Sequence, residues 1–214
     1  LELAVSVGIV IACSSLYRHH LQPHLDSIMR LERKPDEITL VTDGDFTAPM
    51  ITRVVHMDLP WCLGDWYNAG VEATETEWVA WSGADDLYRP TALNSLDSAT
   101  ADVVCFGLHY STGMNWLPQG ITPEAILKLE TNLITCGSPF RRKLWEEIPF
   151  QAEVAPVEDW GFWVGCALQG ARFESAHQID IDYAHGPDHL APDLNNSREL
   201  IRAWLNKRSS SGNQ

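Results

Sequence analysis

The chain has 214 residues, 45% of them apolar and 21% charged, enough for one sizeable globular core. Its formal net charge of −14 argues against direct binding to DNA, RNA or an anionic membrane, whose phosphates would repel it. The sequence has no apolar run of about 18 residues, so no transmembrane segment is expected.

Ala4 to Cys13 is a near-continuous β-branched run, the pattern of a strand buried on both faces of a parallel sheet. It lacks a basic n-region and does not read as a signal peptide. Leu21, Leu25, Ile28 and Met29 then recur at helical spacing, with Pro23 tolerated in the first turn. Glu37 to Thr42 is a second strand, closed by the turn residues Asp43-Gly44-Asp45. Strand, helix and strand within some forty residues make a βαβ unit. A third short strand lies within Ile51 to Met57, and Gly64 to Thr74 reads as a helix.

Glu77 to Pro90 (EWVAWSGADDLYRP) organises the rest. Trp78 to Trp81 is a buried strand, followed by small residues and two adjacent carboxylates, Asp85 and Asp86. Pro90 stops a helix from running through, so the pair sits in a loop past a strand end. Ligands of open α/β sheets bind there. Two adjacent acids repel unless a positive charge joins them, and hard oxygen ligands suit Mg²⁺ or Mn²⁺. On its own the dipeptide reads more readily as an acidic turn, since Asp is a common turn former.

Thr91 to Leu96 is predicted as a short helix and Asp102 to Gly107 as a strand. The second half holds helical runs at Pro123 to Leu129 and Arg142 to Ile148. An amphipathic helix follows at Glu158 to Leu168, opening with two acids that complement its dipole. Phe173 to Tyr183 holds one or two strands, and Ser197 to Leu205 a closing helix. Residues 207–214 contain no apolar side chain and are expected to form a disordered tail. The five cysteines (Cys13, Cys62, Cys105, Cys136, Cys166) follow no zinc spacing and fit reduced residues of a cytoplasmic protein.

The order of these segments resembles the family 2 glycosyltransferases, from about Val5 to His189. VSVGIVIACSS is similar to that family's first strand and nucleotide loop, LQPHLDSI to the next helix, and DEITLVTDGD to the second strand with its Asp-Gly turn. GDWYNAGVEATETEWVAWSGADDLYRP resembles the stretch leading into the metal motif. SPFRRKLWEEI and VEDWGFWVGCALQGARF resemble the acceptor-side segments. The resemblance implies the GT-A fold: a Rossmann-like, mostly parallel twisted sheet with helices on both faces. It implies one domain over 1–206, with a nucleotide-sugar half (1–110) and an acceptor half (111–206).

The same resemblance implies roles for individual residues. Asp43 accepts from the nucleotide base, and Ser14 and Ser15 hold base and ribose, although the family's Thr-Tyr-Asn wording is absent. Asp85 faces the ribose and Asp86 takes Mn²⁺ or Mg²⁺, with Gly83 where many members carry the first Asp. Asp159 is the catalytic base, with Glu158 beside it. His185 is a further metal ligand, with His189 its rival. Apart from the resemblance, Trp160 shares the helix of Asp159 and is a candidate to stack on a sugar ring, and Arg141 is a candidate to meet the diphosphate or an anionic acceptor, with plain surface solvation an equal alternative.

The implied activity is metal-dependent, inverting transfer of a sugar from a nucleoside diphosphate, UDP by default, to a hydroxyl of a saccharide, lipid-linked or protein acceptor. The small acceptor half implies a soluble acceptor, or a partner or second copy that completes that site as a homo-oligomer. Three rivals keep part of the pattern. A sugar nucleotidyltransferase needs a Gly-rich basic loop where this chain has CSSLYRHH. A non-catalytic nucleotide-sugar-binding module needs no base at Asp159. A glycosyltransferase acting on nucleic acid meets the opposing charge.

Overall fold

Strand β1 (Val7–Ala12) is buried at every position, as its β-branched run requires. The computed structural model describes residues 5–59, 62–184 and 193–211. Helix α1 (Arg18–Met29) follows, then β2 (Glu37–Thr42), β3 (Arg53–His56), α2 (Leu63–Glu72), β4 (Trp78–Gly83) and β5 (Leu87–Tyr88). The second half contains β6 (Val103–Tyr110), β7 (Asn115–Trp116), α3 (Pro123–Leu127), β8 (Phe140–Arg141), α4 (Arg142–Glu147), α5 (Glu158–Leu168), β9 (Phe173–Tyr183) and α6 (Leu194–Ser211). Three short 3₁₀ turns punctuate the described residues; one, Asn94–Ser98, replaces the helix expected over Thr91 to Leu96.

The described strands form one sheet in the order β3-β2-β1-β4-β8-β6-β9-β5, with β7 beside β6. β3, β2, β1 and β4 are mutually parallel. The two-residue β8 runs antiparallel between β4 and β6, so β6 and its parallel partner β9 keep the direction of the first four strands. Ala12 pairs with Val41 on one side and Gly83 on the other. The carboxyl ends of β1, β2 and β4 therefore lie level.

Alternating side chains divide the core between two faces. Val7, Ile9 and Ile11 meet Leu21, Leu25 and Ile28 of α1, together with Tyr88, Leu93 and Leu96. Val10, Val41, Val79 and Trp81 meet Trp66, Tyr67 and Val71 of α2 and the aromatic residues of α5. Gly70 allows the close approach of α2: a Cβ there would lie 2.2 Å from Val10 Cγ1. Asn68 Oδ1 accepts from Trp145 Nε1 and Phe150 N, each at 2.8 Å, so this part of α2 packs against protein and makes no phosphate loop. Among the described residues no helix is long and apolar enough to cross a membrane.

Two expectations are corrected. Helix α5 is not amphipathic: Glu158, Trp160 and Gly161 through Ala167 are all buried, because the helix packs against α2 and α3 in the interior. Residues 207–211 are not a disordered tail but the last turn and a half of α6. Lys207 Nζ holds Glu153 Oε2 at 2.6 Å, and Ser209 Oγ and Ser210 Oγ donate to the carbonyls of Leu205 and Asn206.

Candidate functional site

The level carboxyl ends of β1, β2 and β4 bring three sequence-distant loops together. From β1 come Ser14 and Ser15, from β2 Asp43. Ser15 N–H donates to Asp43 Oδ1 at 2.5 Å, while Ser15 Oγ and Ser14 Oγ donate to Oδ2 at 3.1 and 3.3 Å. Burial works to raise the Asp43 carboxyl, but these hydrogen bonds together outweigh it and hold the group below its usual value. Asp43 is thus an ionised acceptor at the rim of the sheet.

From β4 come Asp85 and Asp86. Asp85 folds back over Gly83, where a Cβ would stand 2.6 Å from its Oδ1. Asp86 is only 5% exposed, and its Oδ1 accepts from Ala184 N at 3.2 Å. Burial first, and the Asp85 charge second, push its carboxyl well above the ordinary range.

Opposite them is the first turn of α5. Asp159 is half-buried, and Asn132 Nδ2 donates to its Oδ2 at 2.8 Å. Burial raises its carboxyl to about 6, with the Glu158 charge adding to the effect and the Asn132 bond opposing it. Glu158 turns away, toward α2: Cys62 Sγ donates to its Oε1 at 3.7 Å, and a Cβ on Gly64 would stand 3.2 Å from its Cγ. The Cys136 thiol is raised by burial and then by the charges of Asp86, Asp159 and Asp85. The Tyr183 phenol is raised by burial and by the same three carboxylates. One thiol and one phenol thus feel all three acids, which puts Asp85, Asp86 and Asp159 in one neighbourhood.

All 15 Lys and Arg residues are described, and none forms an ion pair with Asp43, Asp85, Asp86 or Asp159. Among the described residues no group of three or more His, Cys, Asp or Glu side chains is arranged to hold a metal on its own. Two carboxylates without a basic partner nevertheless fit Mg²⁺ or Mn²⁺, which commonly take one or two carboxylates and complete their shell with substrate phosphate and water.

No protein-family model and no curated protein matches the chain. Solved structures do. The crystal structure of S. aureus TarS, a family 2 glycosyltransferase, superposes with a TM-score of 0.68 at 14% identity, over 94% of this chain and 43% of that one. The chain therefore spans less than half of that protein. TarS 1-349 with UDP superposes at 0.66 and 15% identity, over 96% of this chain and 72% of that one. TarS 1-349 with UDP-GlcNAc gives 0.70 and 14% identity, over 96% and 73%. The chain has the GT-A fold.

Within this GT-A frame two of the sequence-predicted residues fall elsewhere. Trp160 is 2% exposed and belongs to the core between sheet and helices, so its ring is not presented to a sugar. Arg141 pairs with Trp78 at the amino end of β4, the opposite end from Asp85 and Asp86. There it bonds Glu77 and lies 4.3 Å over the Trp78 ring. His185 and His189 lie outside the described residues. The candidate site also involves groups that the sequence did not announce: His24, Asn132, Cys136 and the Ala184 N–H. Of these only His24 left a signal, since it fills a buried place in the stripe Leu21, His24, Leu25, Ile28.

Proposed function

We propose that the protein is a nucleotide-sugar glycosyltransferase, using a UDP-sugar and a divalent cation to glycosylate a hydroxyl acceptor with inversion. The observation that carries this reading is the placement of Asp43, held by Ser14 and Ser15, and of Asp85 and Asp86 just past the level carboxyl ends of β1, β2 and β4 in a GT-A sheet. Solved complexes of TarS with UDP and UDP-GlcNAc support the choice of nucleotide. Five free cysteines fit a reducing compartment, which favours the cytoplasm.

Asp43 would take the donor N–H of the base, with Ser14 and Ser15 holding its orientation. Asp86, with Asp85, would hold Mg²⁺ or Mn²⁺, which supplies positive charge for the departing diphosphate. Asp159 would accept the acceptor hydroxyl's proton as that oxygen attacks the anomeric carbon and the sugar–phosphate bond breaks. Its carboxyl, at about 6, is ionised at neutral pH yet more basic than an ordinary aspartate. Attack from the face opposite the diphosphate inverts the anomeric carbon, and no covalent intermediate is required.

The test is thermal unfolding with UDP, GDP, CMP and dTDP, each with and without Mn²⁺. A ligand bound only by the folded chain adds about 2.7 kcal/mol at a hundredfold excess over Kd. A Mn²⁺-dependent rise with UDP, absent in Asp86→Asn, is the expected result. No rise with any nucleotide would sink the reading.

A further inference from the structure

The turn that carries Asp86 is clasped from one side by helix α1. His24 has no exposed surface. Its Nδ1 bonds the backbone carbonyl of Asp86, and its Nε2 lies 3.1 Å from Ser82 Oγ. One helical turn on, Ser27 Oγ donates to the His24 carbonyl at 2.6 Å and accepts from Tyr88 N at 3.1 Å. The His24 and Ser27 side chains therefore touch the turn at Ser82, Asp86 and Tyr88. A carbonyl can only accept, so Nδ1 carries the proton, and Nε2 accepts from the Ser82 hydroxyl.

We infer that His24 is the positioning residue of Asp86: its Nδ1–H fixes the Asp86 carbonyl, and with it the place of the carboxylate that Ala184 N–H meets from the other side. The Asp86 peptide is gripped at two points, by α1 through its carbonyl and by the chain following β9 through its side chain. Neither grip supplies a charge. An imidazole bound to the backbone carbonyl orients the turn without pairing with the carboxylate. The consequence for catalysis rests on the proposed reading of Asp86; the positioning itself does not.

The experiment uses variants that separate the two ring nitrogens. The amide N–H of His24→Asn falls near Nδ1 and can still reach the Asp86 carbonyl. The longer His24→Gln places its amide near Nε2 and reaches Ser82 instead. Ser82→Ala, a milder change, removes only the Nε2 partner. Amide hydrogen exchange at Ala184 reports on the Asp86 carboxylate with no ligand present, and Val10 in β1 serves as the global reference.

The expected result is exchange at Ala184 about tenfold faster than the reference predicts in His24→Gln, the weight of one hydrogen bond. His24→Asn and Ser82→Ala should leave Ala184 protected. Equal exposure of Ala184 in His24→Asn and His24→Gln, or no change in either, would overturn the inference. UDP with Mn²⁺ is then titrated into the wild-type chain. If it fails to bind while the exchange difference stands, the donor reading falls and the positioning role remains.

Discussion

At the amino end of β4, charges meet their opposites. Arg141 bonds Glu77, Arg142 bonds Glu146, and Asp102 takes both Lys143 at 2.9 Å and Arg172 at 3.3 Å. A cleft of about 530 Å³ opens there, but its cations are already occupied by these acids. At the carboxyl end of the same strand, Asp85, Asp86 and Asp159 share a neighbourhood in which no Lys or Arg pairs with them. The difference shows in the carboxyls themselves. Asp102 is held below its usual value, its ion pairs and hydrogen bonds outweighing burial, whereas Asp86 and Asp159 are raised, chiefly by burial. One end of the strand spends its charges on the fold. The other keeps carboxylates raised by burial, a pattern common at functional sites.

The largest effect expected from breaking this contrast is at Asp159. Asp159→Asn should lower sugar transfer from UDP-sugar by about 10²- to 10⁴-fold, the range for loss of a general base. Wild-type kcat/KM should fall as pH drops through about 6, because the base works only when ionised. The stability effect has the opposite sign from an ordinary paired aspartate. The folded group binds its proton more tightly than the unfolded one, so stability falls as pH rises from the ordinary aspartate value of 3.8 through about 6. Asp159→Asn should remove that slope and leave the unfolding midpoint at pH 7 unchanged or higher. A large drop in midpoint would make Asp159 a structural residue.

Gly83→Ala should come next. Its Cβ would stand 2.6 Å from Asp85 Oδ1, so Asp85 must move. Affinity for UDP with Mn²⁺ is expected to fall about tenfold, or 1.4 kcal/mol, measured by titration calorimetry. Unchanged affinity would remove Asp85 from the donor site.

At the other end, Asp102→Asn should cost about 1 kcal/mol, a modest figure because Lys143 and Arg172 are 63% and 68% exposed. For a chain of this size that is a midpoint drop of about 2–4 °C, with nucleotide binding untouched. The contribution of Asp102 is present above the ordinary aspartate value of 3.8 and lost as pH falls below it, since its folded value is depressed. Smallest of all is Arg141→Gln, about 0.5 kcal/mol for an exposed ion pair and a cation–π contact, again without effect on nucleotide binding. Lost binding in Arg141→Gln would restore Arg141 to the site.

Much of this contrast was legible in the sequence, but unevenly. Runs such as AVSVGIVIAC and EITLVT announced buried parallel strands because strands covered on both faces have no polar alternation to hide them. Asp43 and Asp85-Asp86 were legible for the same reason: each interrupts the chain just past such a run. The second half was harder. Arg141 was misplaced because β8 is a two-residue antiparallel strand, and no pattern of two residues states which end of the sheet it joins. Trp160 was misplaced because the acids that open α5 suggested an exposed polar face. Glu158 instead turns toward the start of α2, and only Asp159 opens to the site. Asn132 and Cys136 sit in irregular chain, where position follows from tertiary packing and leaves no periodic trace.

The most direct test sets one aspartate from each end of β4 against the other, by calorimetric titration of UDP with Mn²⁺ and by thermal unfolding of Asp86→Asn and Asp102→Asn. The charge division predicts that Asp86→Asn loses binding while its unfolding midpoint holds or rises, and that Asp102→Asn binds normally while its midpoint falls. Asp86→Asn that binds like wild type, or Asp102→Asn that loses binding without losing stability, would contradict it.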